Sequence, residues 1–301
     1  MSHQNASIKS ILFALSANLG IAITKTVAAV ITGSGAMLAE SIHSFADCGN
    51  QGLLFIGLRA SKKKPDAEHP LGYGKAIFFW SFMVALILFS MGGLFSIYEG
   101  VHKIGSHEGL KSPVIATVVL GISMLLEGSS LYGCITQVNK VRHGQSLWKW
   151  FLNSRQSELV VVVGEDVAAL LGLSFALVSV ILTILTGNPV FDAIGSIGIG
   201  ALLIVISLFL AIKIKGLLIG QSADKEVNDE ITRFLENRPE VDAVLNLITM
   251  QLGSRIMVAV KAKMNPAENI GQLISNINRC EADLKKQIPA IQWIFFEPDV
   301  E

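Results

Sequence analysis

The stretch Gly35-Ala36-Met37-Leu38-Ala39-Glu40-Ser41-Ile42-His43-Ser44-Phe45-Ala46-Asp47-Cys48-Gly49-Asn50-Gln51 sets two carboxylates and an imidazole inside an otherwise apolar run that continues to Leu58. A helix needs about 20 mostly apolar residues to cross the hydrocarbon of a bilayer, so Gly35–Leu58 reads as a membrane span. Glu40 precedes His43 by three residues and Asp47 follows it by four, a spacing that puts all three on one helix face. Asn50 and Gln51 continue the stripe. Ionisable groups are costly inside a membrane and usually mark function. An imidazole beside a carboxylate is ligand chemistry for a borderline cation such as zinc. The competing reading is a hydrogen-bonded cluster that packs helices together. Two ionisable groups one turn apart exceed what packing requires.

Five more stretches outward from this one qualify as spans: Ile8–Thr32, Ala76–Glu99, Pro113–Val138, Glu158–Thr186 and Pro189–Ile212. Breakers separate them at Thr32-Gly33-Ser34-Gly35, Lys64-Pro65, Ser112-Pro113 and Gly187-Asn188-Pro189. The loop after the second span carries Arg59, Lys62, Lys63, Lys64 and Lys75, and the loop after the fourth carries Lys140, Arg142, Lys149 and Arg155. The loops after the first and fifth have no Lys or Arg, and the third-to-fourth loop has Lys103 and Lys111. Basic loops stay inside, so both termini are expected on the cytoplasmic side. Met1–Ser10 has neither the basic start nor the cleavage site of a signal peptide, so the first apolar segment is expected to be retained as a span.

Composition agrees with this layout. Of the 301 residues, 51% are hydrophobic and 16% charged, against about 25% charged in soluble domains. Charges are sparse to Ile212 and dense from Lys213, which predicts a six-helix transmembrane transport domain over residues 1–212 and a cytoplasmic domain over 213–301. In that tail Val227–Leu235 is amphipathic, Val241–Gln251 and Arg255–Lys263 read as strands around Leu252-Gly253-Ser254, Ile270–Ile288 as a helix and Ile291–Phe296 as a strand. The order α-β-β-α-β predicts an α+β, ferredoxin-like open-faced sandwich with two helices on one sheet face. The formal net charge is zero, which leaves no electrostatic footprint for nucleic acid. Cys48, Cys134 and Cys280 lie far apart and build neither a disulfide framework nor a thiolate zinc cluster.

The fifth span holds Glu165 and Asp166 in the apolar run Val160–Leu171. Neighbours on a helix point about 100° apart, so the two carboxylates are expected to do different jobs. The alternative is that both are protonated and bonded to neighbouring helices. Lys25 in the first span is expected to snorkel outward, with neutralisation of a carboxylate as the alternative. Glu99 reads as interfacial, and for Glu127 in the fourth span packing and function stand equal. His102, His107 and Glu108 read as solvated loop residues. Between the second and third spans, Asp66 and His69 could bind metal at the cytoplasmic mouth; by composition alone the segment is an ordinary turn.

Leu38–Asp47, His69-Pro70-Leu71-Gly72-Tyr73-Gly74-Lys75, the fifth and sixth spans and the ending Phe296-Glu297-Pro298-Asp299 together resemble the cation diffusion facilitator family over nearly the whole chain. Asp47-Cys48-Gly49-Asn50-Gln51, Gly164-Glu165-Asp166-Val167-Ala168-Ala169 and Gly187-Asn188-Pro189 resemble the branch that contains a mitochondrial zinc transporter of animals and its bacterial relatives. The resemblance implies a homodimer in a lipid bilayer that exchanges a divalent cation for protons, with no prosthetic group. It implies efflux from the cytoplasm, across a prokaryotic inner membrane. It also implies four ligands, two from the second span and two from the fifth. His43 and Asp47 match the first pair and Asp166 matches one of the second, but Val162 stands where the family has a histidine. Glu165, water or another span must then supply the fourth ligand. Tyr73 likewise stands where the family's loop site often has histidine. The six histidines are His3, His43, His69, His102, His107 and His143, so the tail has none. The His-built zinc sites of some members cannot form there, and the tail is expected to dimerise by packing.

A metal ligand must be deprotonated, so His43, Asp47 and Asp166 can hold protons or metal in turn. Zinc is the expected cargo, with iron, manganese or cobalt as the alternative since nitrogen ligands are few. A metalloenzyme would need an open metal position and a general base. No His-Glu-x-x-His pattern is present and the resemblance opposes it, so the chain is read as no enzyme. A membrane-anchored metal sensor is the remaining class.

Overall fold

The computed structural model describes residues 18–106, 111–142 and 144–300. The expected span over residues 8–17, and His3, His107, Glu108 and His143, lie outside them.

The chain opens with helices α1 (Asn18–Thr32), α2 (Gly35–Ser61) and α3 (Ala76–Ile87). A π-helical segment, Leu88–Leu94, joins α3 to α4 (Phe95–Ser106). Then come α5 (Pro113–Val141), α6 (Leu147–Asn153), α7 (Ser157–Thr186) and α8 (Val190–Ile219). Four continuous helices are long and apolar enough to cross a membrane: Ala76–Ile104, Pro113–Val141, Ser157–Thr186 and Val190–Ile219. Helix α2, at 27 residues, has the length of a span but carries the polar stripe. The described part of α1 is apolar and shorter. The last of these helices runs past the expected Ile212 to Ile219, and α6 stands where a loop was expected.

Local chemistry sets the boundaries. Gly33 takes φ +68°, a left-handed turn, and the Ser34 hydroxyl then caps α2 by accepting from the Met37 amide at 3.1 Å. Pro113 sits at the first turn of α5, where its missing N–H costs nothing. Gly187, φ +68°, closes α7, and the Asn188 side chain accepts from the Val190 amide to start α8.

The chain folds as two compact units. The first holds the described residues up to Ile56, Trp80–Leu147 and Glu158–Ile214. Its helices expose large apolar side chains such as Val30, Leu125, Leu185 and Val205, as lipid-facing helices do. Only 17% of the apolar window of α5 is buried, which makes it peripheral. The π segment, α4 and α8 approach through glycines. A Cβ on Gly200 would stand 2.6 Å from the Gly93 carbonyl oxygen, and one on Gly100 2.7 Å from that of Ala193. Asp192 at the start of α8 is fully buried. It accepts from Ser34 Oγ (2.5 Å), the Gly35 amide (2.7 Å) and Lys103 Nζ (2.6 Å). Lys103, expected in a loop, is thus drawn into a buried ion pair.

The second unit comprises Gly57–Phe79, Trp148–Ser157 and Lys215–Glu301. Its tail follows the expected order: α9 (Lys225–Glu236), β1 (Val241–Leu252), β2 (Arg255–Met264), α10 (Ile270–Gln287) and β3 (Ile291–Asp299). Strand β2 is central, antiparallel to β1 and parallel to β3. Alternation along β2 turns Ile256, Val258, Val260 and Ala262 to one face, where they pack with Ile231, Leu235, Cys280 and Leu284 of the two helices. Gly74 meets the β1–β2 turn backbone to backbone. A Cβ on Gly74 would fall onto the Leu252 carbonyl oxygen, and one on Gly253 would stand 2.5 Å from the Gly74 carbonyl oxygen.

Candidate functional site

Along the polar stripe of α2 burial is deepest at Glu40, His43 and Asn50, while Asp47 is half-buried and Gln51 exposed. Glu40, His43 and Asn50 have no exposed surface, and Asp47 borders a cavity of about 60 Å³. Three helices bring four carboxylates to its wall: Asp47 from α2, Glu127 from α5, and Glu165 and Asp166 from α7. A water occupies about 30 Å³ of liquid, so there is room for a partly hydrated ion. Ser44, Ser130, Gln51 and Asn18 add further polar groups.

The adjacent carboxylates of α7 turn to different neighbours, as their 100° offset requires. Asn50 Nδ2 donates to Glu165 Oε1 at 2.5 Å, while Ser130 Oγ lies 3.4 Å from both Asp166 oxygens. Val162 lines the same cavity, where it offers no ligand atom. His43 is placed differently from the other candidates. Its ring is not part of the cavity wall, both ring nitrogens are buried without a hydrogen bond among the described residues, and Nε2 lies 3.7 Å from Asp47 Oδ2. It packs beside Gly92 of the π segment, whose Cβ would stand 3.8 Å from Nδ1. Single π turns inside α-helices often accompany functional sites. No three His, Cys, Asp or Glu side chains among the described residues converge as a ready-made cage.

Two positions read ambiguously in the sequence now have definite places. Lys25 does not snorkel. It is fully buried, with Nζ 3.3 Å from Glu40 Oε2 and 2.8 Å from Ser44 Oγ. Pairing wins because a carboxylate at the same depth removes the reason to reach for the surface. Glu127 lines the cavity together with Ser130, three residues on along α5. That i, i+3 pair of polar residues in an apolar helix was the available signal.

The loop pair is adjacent but engaged. Asp66 Oδ1 accepts from the amides of Glu68 (3.1 Å) and His69 (2.8 Å), and Oδ2 accepts from the Tyr73 hydroxyl (2.7 Å). His69 Nδ1 lies 3.6 Å from Asp66 Oδ1, and its ring stacks on Tyr73 with centroids 4.1 Å apart. The Tyr73 hydroxyl, then the His69 amide, hold the Asp66 carboxyl below the ordinary value.

A family model described as the cation efflux transmembrane domain matches residues 11–219. The human mitochondrial proton-coupled zinc antiporter SLC30A9 is 35% identical over 231 residues, 76% of this chain and 41% of that protein. Metal tolerance protein C4 of Arabidopsis thaliana is 36% identical over 222 residues, 73% of this chain and 49% of that protein. Magnetosome protein MamB of Magnetospira is 28% identical over 210 residues, covering 70% and 67%. The chain thus spans about half or less of the length of the first two relatives. With more than half its length matched by the family model, the chain belongs to the cation efflux, or cation diffusion facilitator, family.

Proposed function

We propose that this protein exchanges a divalent cation, zinc foremost, for protons, and that the cargo is held in the carboxylate cavity. The observation that carries this is that Asp47, Glu127, Glu165 and Asp166, from three apolar helices, all line one small polar space. Carboxylates gathered in a membrane repel one another unless a cation or protons neutralise them, which is the exchange an antiporter performs. In this reading Asp47 and Asp166 hold the cargo, Glu165 completes the site in place of the absent second histidine, and His43 adds nitrogen by turning toward Asp47. Glu127 takes part as a further oxygen ligand or as a holder of the exchanged proton. The names of SLC30A9 relatives, proton-coupled zinc antiporters, support zinc and protons.

One observation favours a harder cargo. Among the described residues the ionisable groups on the cavity wall are all carboxylates, and oxygen sets suit manganese or iron(II) better than nitrogen and sulfur sets do. Asp66 and His69 are the weaker metal candidates, because a metal there must displace Tyr73 from Asp66. The basic second and fourth loops support cytoplasmic termini and efflux from the cytoplasm across a prokaryotic inner membrane. Dimerisation through the tail belongs to the same reading. Metal flux into sealed liposomes separates a transporter from a sensor. Competition among zinc, manganese and iron(II) in that assay decides the cargo.

A further inference from the structure

Lys25 of α1 and Glu40 of α2 are both without exposed surface. The ammonium donates to Ser44 Oγ at 2.8 Å and lies 3.3 Å from Glu40 Oε2. Ser44 is on the wall of the carboxylate cavity, three residues from Asp47. Glu40 is seven residues from Asp47 on the same stripe, about 10 Å at 1.5 Å per residue. The other carboxylate oxygen of Glu40, Oε1, is buried with no hydrogen-bond partner among the described residues. It rests against Gly172 of α7, where a Cβ would stand 2.5 Å away.

A buried carboxylate rarely leaves an oxygen unmatched. The ammonium satisfies Oε2 alone, and the bare Gly172 leaves Oε1 uncovered. A divalent cation could engage both oxygens with Ser44 Oγ beside them. The Lys25 side chain is a flexible tether, and Ser44 already links it to the cavity wall.

We propose that Glu40 and Ser44 form a second site for the divalent cargo, and that in this conformation the Lys25 ammonium occupies it as a tethered stand-in. Cargo moving along the stripe from Asp47 to Glu40 displaces the ammonium, which swings toward the vacated cavity carboxylates. The return of Lys25 to Glu40 then expels the cargo. Each position keeps a positive charge throughout, so neither carboxylate group is left bare. The inference rests on the cavity being the first cargo site.

The test is calorimetry with zinc, and separately manganese, on the full-length protein in detergent, paired with thermal unfolding. Lys25→Met vacates the second site and is expected to bind one more metal per chain than the wild type. Lys25→Met/Glu40→Leu, which removes both charges and keeps volume, is expected to lose that increment. Adding Asp47→Asn to Lys25→Met removes the cavity site and leaves the new one, so failure of the cavity reading and failure of this inference give different results. Should Lys25→Met be unstable alone, saturating metal is expected to raise its melting midpoint more than that of the wild type or the double variant. An unchanged stoichiometry and an unchanged metal-induced shift in Lys25→Met would overturn the proposal. So would an increment that survives loss of Glu40, or a Lys25→Met protein that metal does not rescue.

Discussion

Asn50 of α2 donates its side-chain amide to Glu165 of α7 at 2.5 Å, across 115 residues of sequence. The bond fixes one oxygen of the carboxylate, and no further hydrogen bond to the other is formed among the described residues. Glu165 is therefore held at the cavity with coordinating capacity left over, which suits a ligand better than a packing contact.

Glu165→Gln retains an oxygen for Asn50 and removes the charge. Cargo affinity is expected to fall about tenfold or more, the equivalent of at least about 1.4 kcal/mol, with little change in melting temperature. Equilibrium metal binding against unfolding checks both. Unchanged affinity would move the missing ligand to Glu127.

Asp192 anchors the turn between α1 and α2 by accepting from Ser34, Gly35 and Lys103. Asp192→Leu leaves the Lys103 ammonium without its carboxylate partner in a nearly buried position. Removing one partner of a buried pair costs about 3–5 kcal/mol, while replacing both by apolar residues is often near neutral. Thermal unfolding should show a large drop for Asp192→Leu and partial recovery in Lys103→Met/Asp192→Leu, because the Ser34 hydroxyl and the Gly35 amide still lose their acceptor.

Gly253→Ala sets a methyl against the Gly74 carbonyl oxygen at a φ of +65°. Strain of this kind costs about 1–3 kcal/mol, and a lowered unfolding midpoint is expected. The mild Ser254→Ala control beside it should leave that midpoint in place.

Tyr73→Phe removes the hydroxyl that Asp66 accepts. Because Asp66 is held below the ordinary 3.8 in the folded loop, its contribution is complete above that value and is lost as pH falls through the lower folded value. Without the hydroxyl the Asp66 titration should move up toward 3.8, and the low-pH loss of loop order should begin at higher pH. Carbon-detected NMR of labelled Asp carboxyls reads the shift; an unmoved titration would show that the backbone amides alone set it.

Much of this architecture could be read from the chain because a membrane imposes strict rules. Apolar runs marked the four helices long and apolar enough to cross a membrane, though not α6, and the His43–Asp47 spacing put imidazole beside carboxylate, as found at 3.7 Å. What could not be read depends on facing. Lys25 finds Glu40 fifteen residues away only once two helices lie side by side. Hydropathy cannot say that Glu127 faces a cavity while Leu125 and Leu126 face out. Asp192 falls at the start of the apolar run Pro189–Ile212, and only the fold brings Ser34 and Lys103 to it. The π segment leaves no sequence mark beyond Gly92-Gly93, yet it provides the space beside His43.

The central claim is cation-for-proton exchange through the cavity that Asp47 and Asp166 line. The direct measurement is zinc flux into sealed liposomes holding the purified protein under an imposed pH gradient, with internal pH followed at the same time. The account predicts zinc entering acidic vesicles while their interior becomes less acidic, and loss of both signals in folded, inserted Asp47→Ala and Asp166→Ala. Wild-type flux from either variant, or zinc flux that ignores the gradient, would contradict it.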